Sequence, residues 1–503
     1  MILIMKLKVK TSKLNIFFIT LFFLLVFFLF IECLAPRGTW TCQKNYSNKK
    51  LVNLFRPDCL TEPSPNDRYE YGLNGELRIL ADPLYLSIFS PRAFQKIDLE
   101  IIYRPHLTDK QAIFEAGFLA DSKLWRYQLK PVYNYLLEES FDTWSTIGSS
   151  DLSLRQKEQK FTSLAEFIMA LKQNDQKLCE LDDCLALYNI NDDIIPAKQL
   201  GNILESNQIN LAYALRGSHQ FYIYLAHEFL DLKGSFMDLN ENKDLDDFEL
   251  IVLKDKQVVA SLKIEDLRAE KELSSEESEE ITFSLRQENL ATGLYKLELR
   301  NNDDIVIMDL GVNSSYLSVI NKMWPFTDEQ VKVYTDSNYL QVKALSPLDL
   351  QTIRFDGIDV ELSEIYKQYE IEAGLGSIKE IKLERGGPIL ANDGIFSFSD
   401  LGLLNPSYLR LDRFSLKDDR IDYILASYED AEPLGDGWYR SNLSFKTSDL
   451  YRENNQYNLI LSVPGLRLFD NEEVFIELKK IKIKYAGPSL LEKIKSMIFS
   501  LKK

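Results

Sequence analysis

The chain has 503 residues, enough for about three domains, and its 45% hydrophobic and 27% charged residues are typical of globular proteins. The net charge of -17 is unevenly distributed, because residues 1–35 and 490–503 each carry +3 and residues 36–489 therefore carry -23. So acidic a body repels phosphate backbones, which argues against nucleic acid as a partner. The two basic ends, in contrast, are attracted to anionic lipid surfaces.

The N-terminal segment 14–35 contains the run from Ile16 to Ile31, which has seven phenylalanines and no charge. An apolar helix of about 20 residues can cross a bilayer. Four lysines and no acid precede it in residues 1–13, so the positive-inside rule places that end in the cytoplasm and everything after Pro36 outside. We therefore predict a single-pass protein of the cell membrane, with an uncleaved signal-anchor and membrane lipid as a partner.

Two other interpretations of this segment stay open. A cleaved signal peptide needs a small-x-small site, and here proline at position 36 directly after Ala35 disfavours cleavage. A lipid-anchored Cys33 needs small residues before the cysteine, whereas Phe30, Ile31 and Glu32 are bulky or charged.

The five cysteines predict two disulfides if the body folds in an oxidising compartment. Cys42 would pair with Cys59 and Cys179 with Cys184, which leaves Cys33 at the membrane edge. Closing the first of these loops stabilises a poorly packed stalk by about 3 kcal/mol. Free thiols in a reducing space are the alternative, and a zinc site is disfavoured because no histidine lies near the second pair.

The rest of the chain divides by pattern into a tether and three β-rich blocks. Residues 36–68 contain four prolines and no sustained periodicity, which indicates a tether. From Tyr69 onward, short runs alternate apolar and polar residues as strands do. We predict a mainly β fold of tandem antiparallel β-sandwich modules after a single N-terminal transmembrane helix. The predicted segments are 1–13 (cytoplasmic basic segment), 14–35 (transmembrane signal-anchor), 36–68 (tether), 69–205 (β-rich domain with one helix), 206–320 and 325–487 (β-sandwich domains) and 488–503 (basic amphipathic tail).

One helix is predicted inside the first β-rich block. Ser163 and Glu166 form a capping-box pattern, in which each side chain can accept a hydrogen bond from a backbone N–H at the helix start. The apolar residues that follow recur at helical spacing, which indicates one face packed on a sheet.

The last predicted strand, 474–485, contains a change of phase. Its apolar side chains occupy even positions up to Leu478 and odd positions from Ile481. A one-residue insertion near Lys479-Lys480, a β-bulge, keeps both sets on the buried face of the sheet.

The basic tail 488–503 has an amphipathic pattern. Lysines occupy one face of this segment. Apolar residues recur at helical spacing on the other face, namely Leu490, Leu491, Ile494, Met497, Ile498 and Leu501. Such a segment is too short to span a bilayer and suits an interfacial helix, which we expect to lie on the outer surface of the same membrane. A terminal helix docked on the last sandwich is the alternative.

One acidic loop carries a metal-like spacing. Residues 238–249 place oxygen ligands as a calcium EF-loop does. Lys243 stands where the sharp turn needs glycine, and Phe236–Asp238 and Phe248–Leu253 are predicted to be strands rather than EF-hand helices. An ordinary solvated turn is therefore favoured, with calcium binding as the alternative, and no cofactor is predicted.

No catalytic residue can be singled out from the sequence. The three histidines, His106, His219 and His227, form no metal or triad pattern, and neither a Walker loop nor a dinucleotide fingerprint occurs. Carboxylate pairs are always available among 76 acidic residues, so they point to no particular site.

These features favour a non-enzymatic binding, adhesion or scaffold protein outside the cytoplasm, with its abundant aromatic residues suited to a protein or glycan partner. The alternative is a cell-envelope hydrolase that acts on glycans or peptides through acidic residues the sequence does not locate. A cleft holding two carboxylates about 5–10 Å apart favours the hydrolase, and tightly packed sandwiches without a cleft favour the binding protein.

Overall fold

The structure is a computed structural model. It describes residues 18–23, 26, 39–46, 59–92, 94–108, 111–173, 184–190, 195, 198, 208–239, 247–265, 280–376, 378–466 and 474–487. Within this part of the chain the protein is mainly β, with several antiparallel sheets, which confirms the predicted class at that level.

The predicted membrane segment, residues 14–35, is described only in part. Residues 18–23 and 26 are helical, and their apolar side chains are exposed. Among the described residues, we find no helix with both the length and the apolar character needed to cross a bilayer. The rest of the predicted segment, Cys33 included, lies outside the described residues, so the signal-anchor stays a prediction.

The described residues form 33 strands, numbered in chain order. The first eleven are β1 (Thr39–Asn45), β2 (Tyr69–Tyr71), β3 (Leu77–Ile79), β4 (Leu84–Phe89), β5 (Lys96–His106), β6 (Ile113–Asp121), β7 (Arg126–Asn134), β8 (Ser145–Ser149), β9 (Leu152–Gln156), β10 (Leu185–Tyr188) and β11 (Ile209–Asn210). The next eleven are β12 (Leu215–Arg216), β13 (His219–Leu225), β14 (Phe229–Asp238), β15 (Phe248–Lys254), β16 (Gln257–Ile264), β17 (Glu280–Glu288), β18 (Gly293–Leu299), β19 (Ile305–Val312), β20 (Ser318–Met323), β21 (Val331–Thr335) and β22 (Tyr339–Lys343). The last eleven are β23 (Thr352–Phe355), β24 (Ile358–Glu361), β25 (Gln368–Glu372), β26 (Lys379–Leu383), β27 (Ile389–Ser397), β28 (Leu409–Arg410), β29 (Tyr423–Ala426), β30 (Glu432–Gly435), β31 (Trp438–Lys446), β32 (Gln456–Ser462) and β33 (Phe475–Ala486).

Helical structure is sparse. The helix α1 (Leu164–Lys172) begins where the capping-box pattern predicts it, because Glu166 N donates to Ser163 Oγ at 3.2 Å and the Glu166 carboxylate accepts from Thr162 N at 3.0 Å. The remaining turns are a π-helical one at Leu136–Ser140 and 3₁₀ turns at Asn66–Arg68, Pro347–Asp349, Ser415–Lys417 and Thr447–Asp449.

The chain forms two compact units. Unit 1 comprises residues 1–122, 126–143 and 429–503, and unit 2 comprises residues 123–125 and 144–428. In unit 1, a seven-stranded sheet has the order β2-β3-β33-β5-β31-β30, with β1 also paired to β33, and a four-stranded sheet has the order β4-β32-β6-β7. Apolar side chains from both sheets share one core, as sandwich packing requires.

The phase change in β33 is the β-bulge that the sequence predicts. Leu478 pairs with Tyr103 and Lys480 pairs with Ile102, so Lys479 is the inserted residue. Ile476, Leu478, Ile481, Ile483 and Tyr485 are consequently all buried, which confirms the prediction.

The segment predicted as a tether contains the strand β1, which pairs with β33 from Thr39↔Ala486 to Asn45↔Lys480. A disulfide joins Cys42 in this strand to Cys59, with the two Cα atoms 6.1 Å apart. Cys184 is also disulfide-bonded, and Cys179, its predicted partner, lies outside the described residues.

Unit 2 contains three sheets. Their orders are β28-β10-β29-β9-β8, then β11-β19-β14-β17 with β12 paired to β19, and a twelve-stranded sheet that runs β16-β15-β18-β13-β20-β27-β21-β26-β23-β24, with β22 paired to β25 and β27. The two predicted sandwich blocks thus share one sheet, because β20 pairs with β27. One cluster of buried apolar side chains extends across both sides of this pairing. The strand β10 runs parallel to β28 and β29, which are far away in sequence, as a parallel pair requires.

Candidate binding cavity

The strands β20 and β27 separate locally at a wide bulge. Ile320 pairs with Ile395 and Lys322 pairs with Ala391, so Asn392, Asp393 and Gly394 together lie opposite one residue of β20. The bulge is held by its own hydrogen bonds, from Asn392 Nδ2 to Thr335 Oγ1 at 2.9 Å and from Gly394 N to Asn392 Oδ1 at 3.1 Å. A bulge of this kind redirects a side chain out of the sheet's alternation.

A cavity of about 980 Å³ opens at this bulge, a volume typical of ligand sites. Three aspartates, three basic residues and three tyrosines line it: Asp336, Asp393, Asp412, Lys198, Arg410, Arg420, Tyr222, Tyr316 and Tyr408. Leu401 and Ile378 add apolar surface and are 75% and 45% exposed. The lining of the cavity therefore combines polar, aromatic and apolar groups on one concave surface.

Asp336 is fixed at the wall of the cavity. Its Oδ1 accepts from Ile395 N at 3.0 Å and its Oδ2 accepts from Asn405 Nδ2 at 2.6 Å. Gly394 lies directly against it, since a Cβ at position 394 would meet Asp336 Oδ1 at 2.3 Å. The glycine of the bulge is thus required for the close approach of this carboxylate.

Asp393 faces the cavity from the bulge. Its side chain keeps accessible surface, and desolvation by the neighbouring protein atoms raises the pKa of its carboxyl. The Ser337 hydroxyl lies 2.7 Å from Asp393 Oδ1 and 2.9 Å from the Tyr339 carbonyl oxygen. The Ser337 hydroxyl can donate its one proton to Asp393 Oδ1 or to the Tyr339 carbonyl, and donation to Asp393 favours the ionised carboxylate and partly offsets the effect of burial.

Asp412 approaches the cavity from the turn after β28. Its Oδ1 accepts from Phe414 N at 2.8 Å and from Ser415 Oγ at 3.3 Å, just before and at the start of the 3₁₀ turn Ser415–Lys417. Burial, and then the charge of Asp393, raise the pKa of Asp412 to about 7. The Asp412 carboxyl can therefore donate as well as accept hydrogen bonds near neutral pH.

Basic groups around the aspartates are themselves held in place. Arg420 makes a bidentate ion pair with Asp418, at 2.8 and 2.6 Å. Behind the cavity, Arg413 pairs with Glu370 and lies over the Phe414 ring at 4.8 Å. These paired groups give the site a rigid support.

The residues that the sequence singles out lie elsewhere. His219 is buried, with its Nδ1 3.0 Å from the Gly217 carbonyl and its Nε2 accepting from Trp324 N at 3.1 Å. This is a neutral structural histidine, whose burial lowers its pKa to about 3. His106 Nε2 lies 3.7 Å from a Glu477 carboxylate oxygen in unit 1, and Cys42, Cys59 and Cys184 do not line the cavity.

The acidic loop 238–249 is described only at its ends. The strands β14 and β15 flank it as predicted, and residues 240–246 lie outside the described residues, so calcium binding there stays a prediction. Within the described part of the chain, no group of three or more His, Cys, Asp or Glu side chains could hold a metal ion.

Comparison with known proteins identifies no family. No family model matches the chain, and no curated protein matches it.

Three solved structures illustrate the structural matches. The VP2 subviral particle of infectious bursal disease virus is 10% identical, covers 76% of this chain and 86% of its own, and has a TM-score of 0.16. The N-terminal CBM22-1-CBM22-2 tandem domain of Xyn10C from Paenibacillus barcinonensis is 8% identical, covers 57% and 99%, and has a TM-score of 0.14. Dimeric latent PorU from Porphyromonas gingivalis is 10% identical, covers 63% and 33%, and has a TM-score of 0.13. Scores this low assign neither a fold family nor a function to this chain.

Proposed function

We propose that this protein is a membrane-anchored, extracytoplasmic binding protein whose unit 2 captures an uncharged, hydroxylated ligand, an oligosaccharide, in the cavity at the β20–β27 bulge. The observation that supports this proposal is the composition of the cavity lining, which contains three aspartates, three basic residues and three tyrosines.

The balance of charge selects the ligand class. The Asp336 carboxylate repels phosphate and carboxylate ligands, Asp393 and Asp412 add to this repulsion when they are ionised, and Arg410 and Arg420 repel cations. A neutral ligand with many hydroxyls is subject to neither repulsion. Its hydroxyls can form hydrogen bonds with the carboxyl, amide and guanidinium groups of the lining. The tyrosine rings and exposed apolar side chains supply the flat surface on which the less polar face of a sugar ring packs.

The location outside the cytoplasm has separate support. The uncharged run in residues 14–35 follows a basic segment, as a signal-anchor does. The disulfide between Cys42 and Cys59 belongs to an oxidising compartment. Both features agree with a ligand of the cell envelope.

A second candidate function is hydrolysis of a glycan in the same cavity. The observation that favours it is the pair Asp393 and Asp412, two carboxyls with raised pKa values in one concave site. Glycosidases use such a pair, one protonated and one ionised.

The test is binding of the purified full chain to an array of envelope oligosaccharides, followed by calorimetric titration of those retained. Asp393→Asn should weaken binding at least about tenfold, because it replaces a carboxyl oxygen at the bulge with an amide. Asp328→Asn, which changes an exposed aspartate of unit 2 outside the lining, should bind as the parent does. Equal affinities for all three proteins, or no retained glycan, would refute the binding site, and release of reducing ends during the titration would favour the hydrolase.

A further inference from the structure

The first and last described strands of unit 1 bring one corner of its larger sheet close to the predicted membrane exit. Thr39 begins β1 and pairs with Ala486, the last residue of β33. Only residues 36–38 separate Thr39 from the end of the predicted signal-anchor, a reach of about 14 Å at full extension. The basic tail 488–503 leaves β33 from the same point.

The same end of the sheet is basic on its outer face. Ala486 pairs with Lys96, and Lys96 pairs with Lys446, so one row crosses β1, β33, β5 and β31. Lys484 lies two residues before Ala486 on β33. We call the site formed by Thr39, Lys96, Lys446, Lys484 and Ala486 the basic corner.

The side chains of the basic corner point away from the core. Ile97, Phe445 and Tyr485 in the adjacent row are buried, and alternation therefore turns their neighbours outward. Lys96, Lys446 and Lys484 are exposed, and Asp98 pairs with Lys96 at 2.8 Å.

The three lysines of the basic corner outnumber its one neighbouring carboxylate, since Asp98 both pairs with Lys96 and lies opposite Lys484. Lys96 and Lys446 are directly opposed on neighbouring strands, a placement in which like charges destabilise a sheet. The protein has a net charge of -17, and the three exposed lysines at one end of the sheet form a basic surface within this acidic chain. Anionic lipid headgroups within a Debye length, about 8 Å at physiological salt, relieve that repulsion.

We propose that the basic corner rests on the anionic surface of the membrane that holds the protein, with the tail 488–503 lying on the same surface beside it. The proposal depends on residues 14–35 crossing that membrane. It is separate from glycan capture, which uses the cavity of unit 2. The chain is thereby attached to its membrane at a second place, through lipid headgroups rather than through the hydrocarbon core.

The experiment uses the full chain in vesicles of phosphatidylcholine alone, or of phosphatidylcholine and phosphatidylglycerol in equal parts. A fluorophore is attached to Ser444→Cys, two residues before Lys446 on β31 and in the same row as Lys484, or to Leu434→Cys in β30 at the opposite end of the sheet, both in a Cys33→Ser background. A quencher linked to lipid headgroups should quench the probe at position 444 in the anionic vesicles and leave the probe at 434 unquenched.

Charge reversal supplies the specific control. Lys96→Glu combined with Lys446→Glu should lower the bound-to-free ratio of the corner at least about 25-fold, since each lysine contributes about fivefold at an anionic surface. Lys157→Glu with Lys417→Glu, two exposed lysines of unit 2, should change nothing. Equal quenching at both probe positions, quenching independent of phosphatidylglycerol, or failure of the chain to integrate into vesicles would each overturn the proposal, and glycan titration of the same variants reports on the cavity independently.

Discussion

Asn405 Nδ2 donates a hydrogen bond of 2.6 Å to Asp336 Oδ2 and so ties the segment before β28 to the turn before β22. The other oxygen of Asp336 accepts from the backbone of β27. One carboxylate therefore joins three segments of unit 2 at the wall of the cavity. A change that displaces Asp336 should alter the cavity before it alters the sheets.

Gly394→Ala tests this arrangement. The added methyl group would lie 2.3 Å from Asp336 Oδ1, so the carboxylate must move, at a cost of about 1–3 kcal/mol in the free energy of unfolding and with loss of glycan binding. Gly374→Ala is the matched control, since a Cβ there has no neighbour within 4 Å. Calorimetric titration and thermal melting measure both effects, and unchanged affinity in the Gly394→Ala variant would mean that Asp336 does not shape the site.

Asp412→Asn should change how stability depends on pH. Burial raises the folded-state pKa of Asp412 to about 7, above its ordinary 3.8. The folded protein therefore binds more protons than the unfolded protein between these values, and this carboxyl's contribution to the free energy of unfolding falls as pH rises from about 4 to 7.

Urea unfolding of the parent and the variant over that range measures this contribution as a difference. The variant should lose less stability than the parent as pH rises, while Asp328→Asn should follow the parent. Parallel curves for the parent and the Asp412 variant would show that the carboxyl titrates normally.

His219→Gln should act in the opposite direction. Burial lowers the folded-state pKa of His219 to about 3, so below pH 6.5 the unfolded protein binds the additional proton. The contribution of His219 to the free energy of unfolding is therefore lost as pH falls from 6.5 towards 3.

At neutral pH the same variant should be less stable than the parent by about 2–3 kcal/mol, because it disturbs two buried hydrogen bonds. Its stability should then decline less in acid, when unfolding is followed by urea titration. His227→Gln alters an exposed histidine and serves as control. A variant curve that declines in acid as steeply as the parent's would contradict the assignment of a neutral buried imidazole.

Replacing both Cys42 and Cys59 by serine should destabilise unit 1 by about 3 kcal/mol, since the disulfide restricts the unfolded chain. Hydrogen exchange of the β1 and β33 amides reports on unit 1 directly. Protection equal to that of the parent would show that strand pairing alone holds β1. Cys33→Ser is the matched single-cysteine control.

Local patterns predicted local structure well. The change of phase at Lys479-Lys480 located the bulge in β33, and the pattern at Ser163 located the start of α1. Both depend only on side chains a few residues apart. The pairing of β1 with β33 could not be read in this way, because its partners stand at opposite ends of the chain and no local pattern connects them.

The cavity was missed for a similar reason. Asp336, Asp393 and Asp412 are distant in sequence and are brought together by the pairing of β21 and β22 with β27 and by the position of β28. One local signal was present, since Asn392-Asp393-Gly394 places turn residues inside the apolar run of β27. Such an interruption is typical of a bulge and marks Asp393 as a residue to examine.

The most direct measurement of glycan capture in unit 2 is hydrogen–deuterium exchange of the full chain with and without a retained envelope oligosaccharide. We predict slower exchange in the peptides that contain the bulge at 392–394 and the segment 405–412, and unchanged exchange in unit 1. Protection confined to other peptides, or none at all at saturating oligosaccharide, would contradict the proposed site.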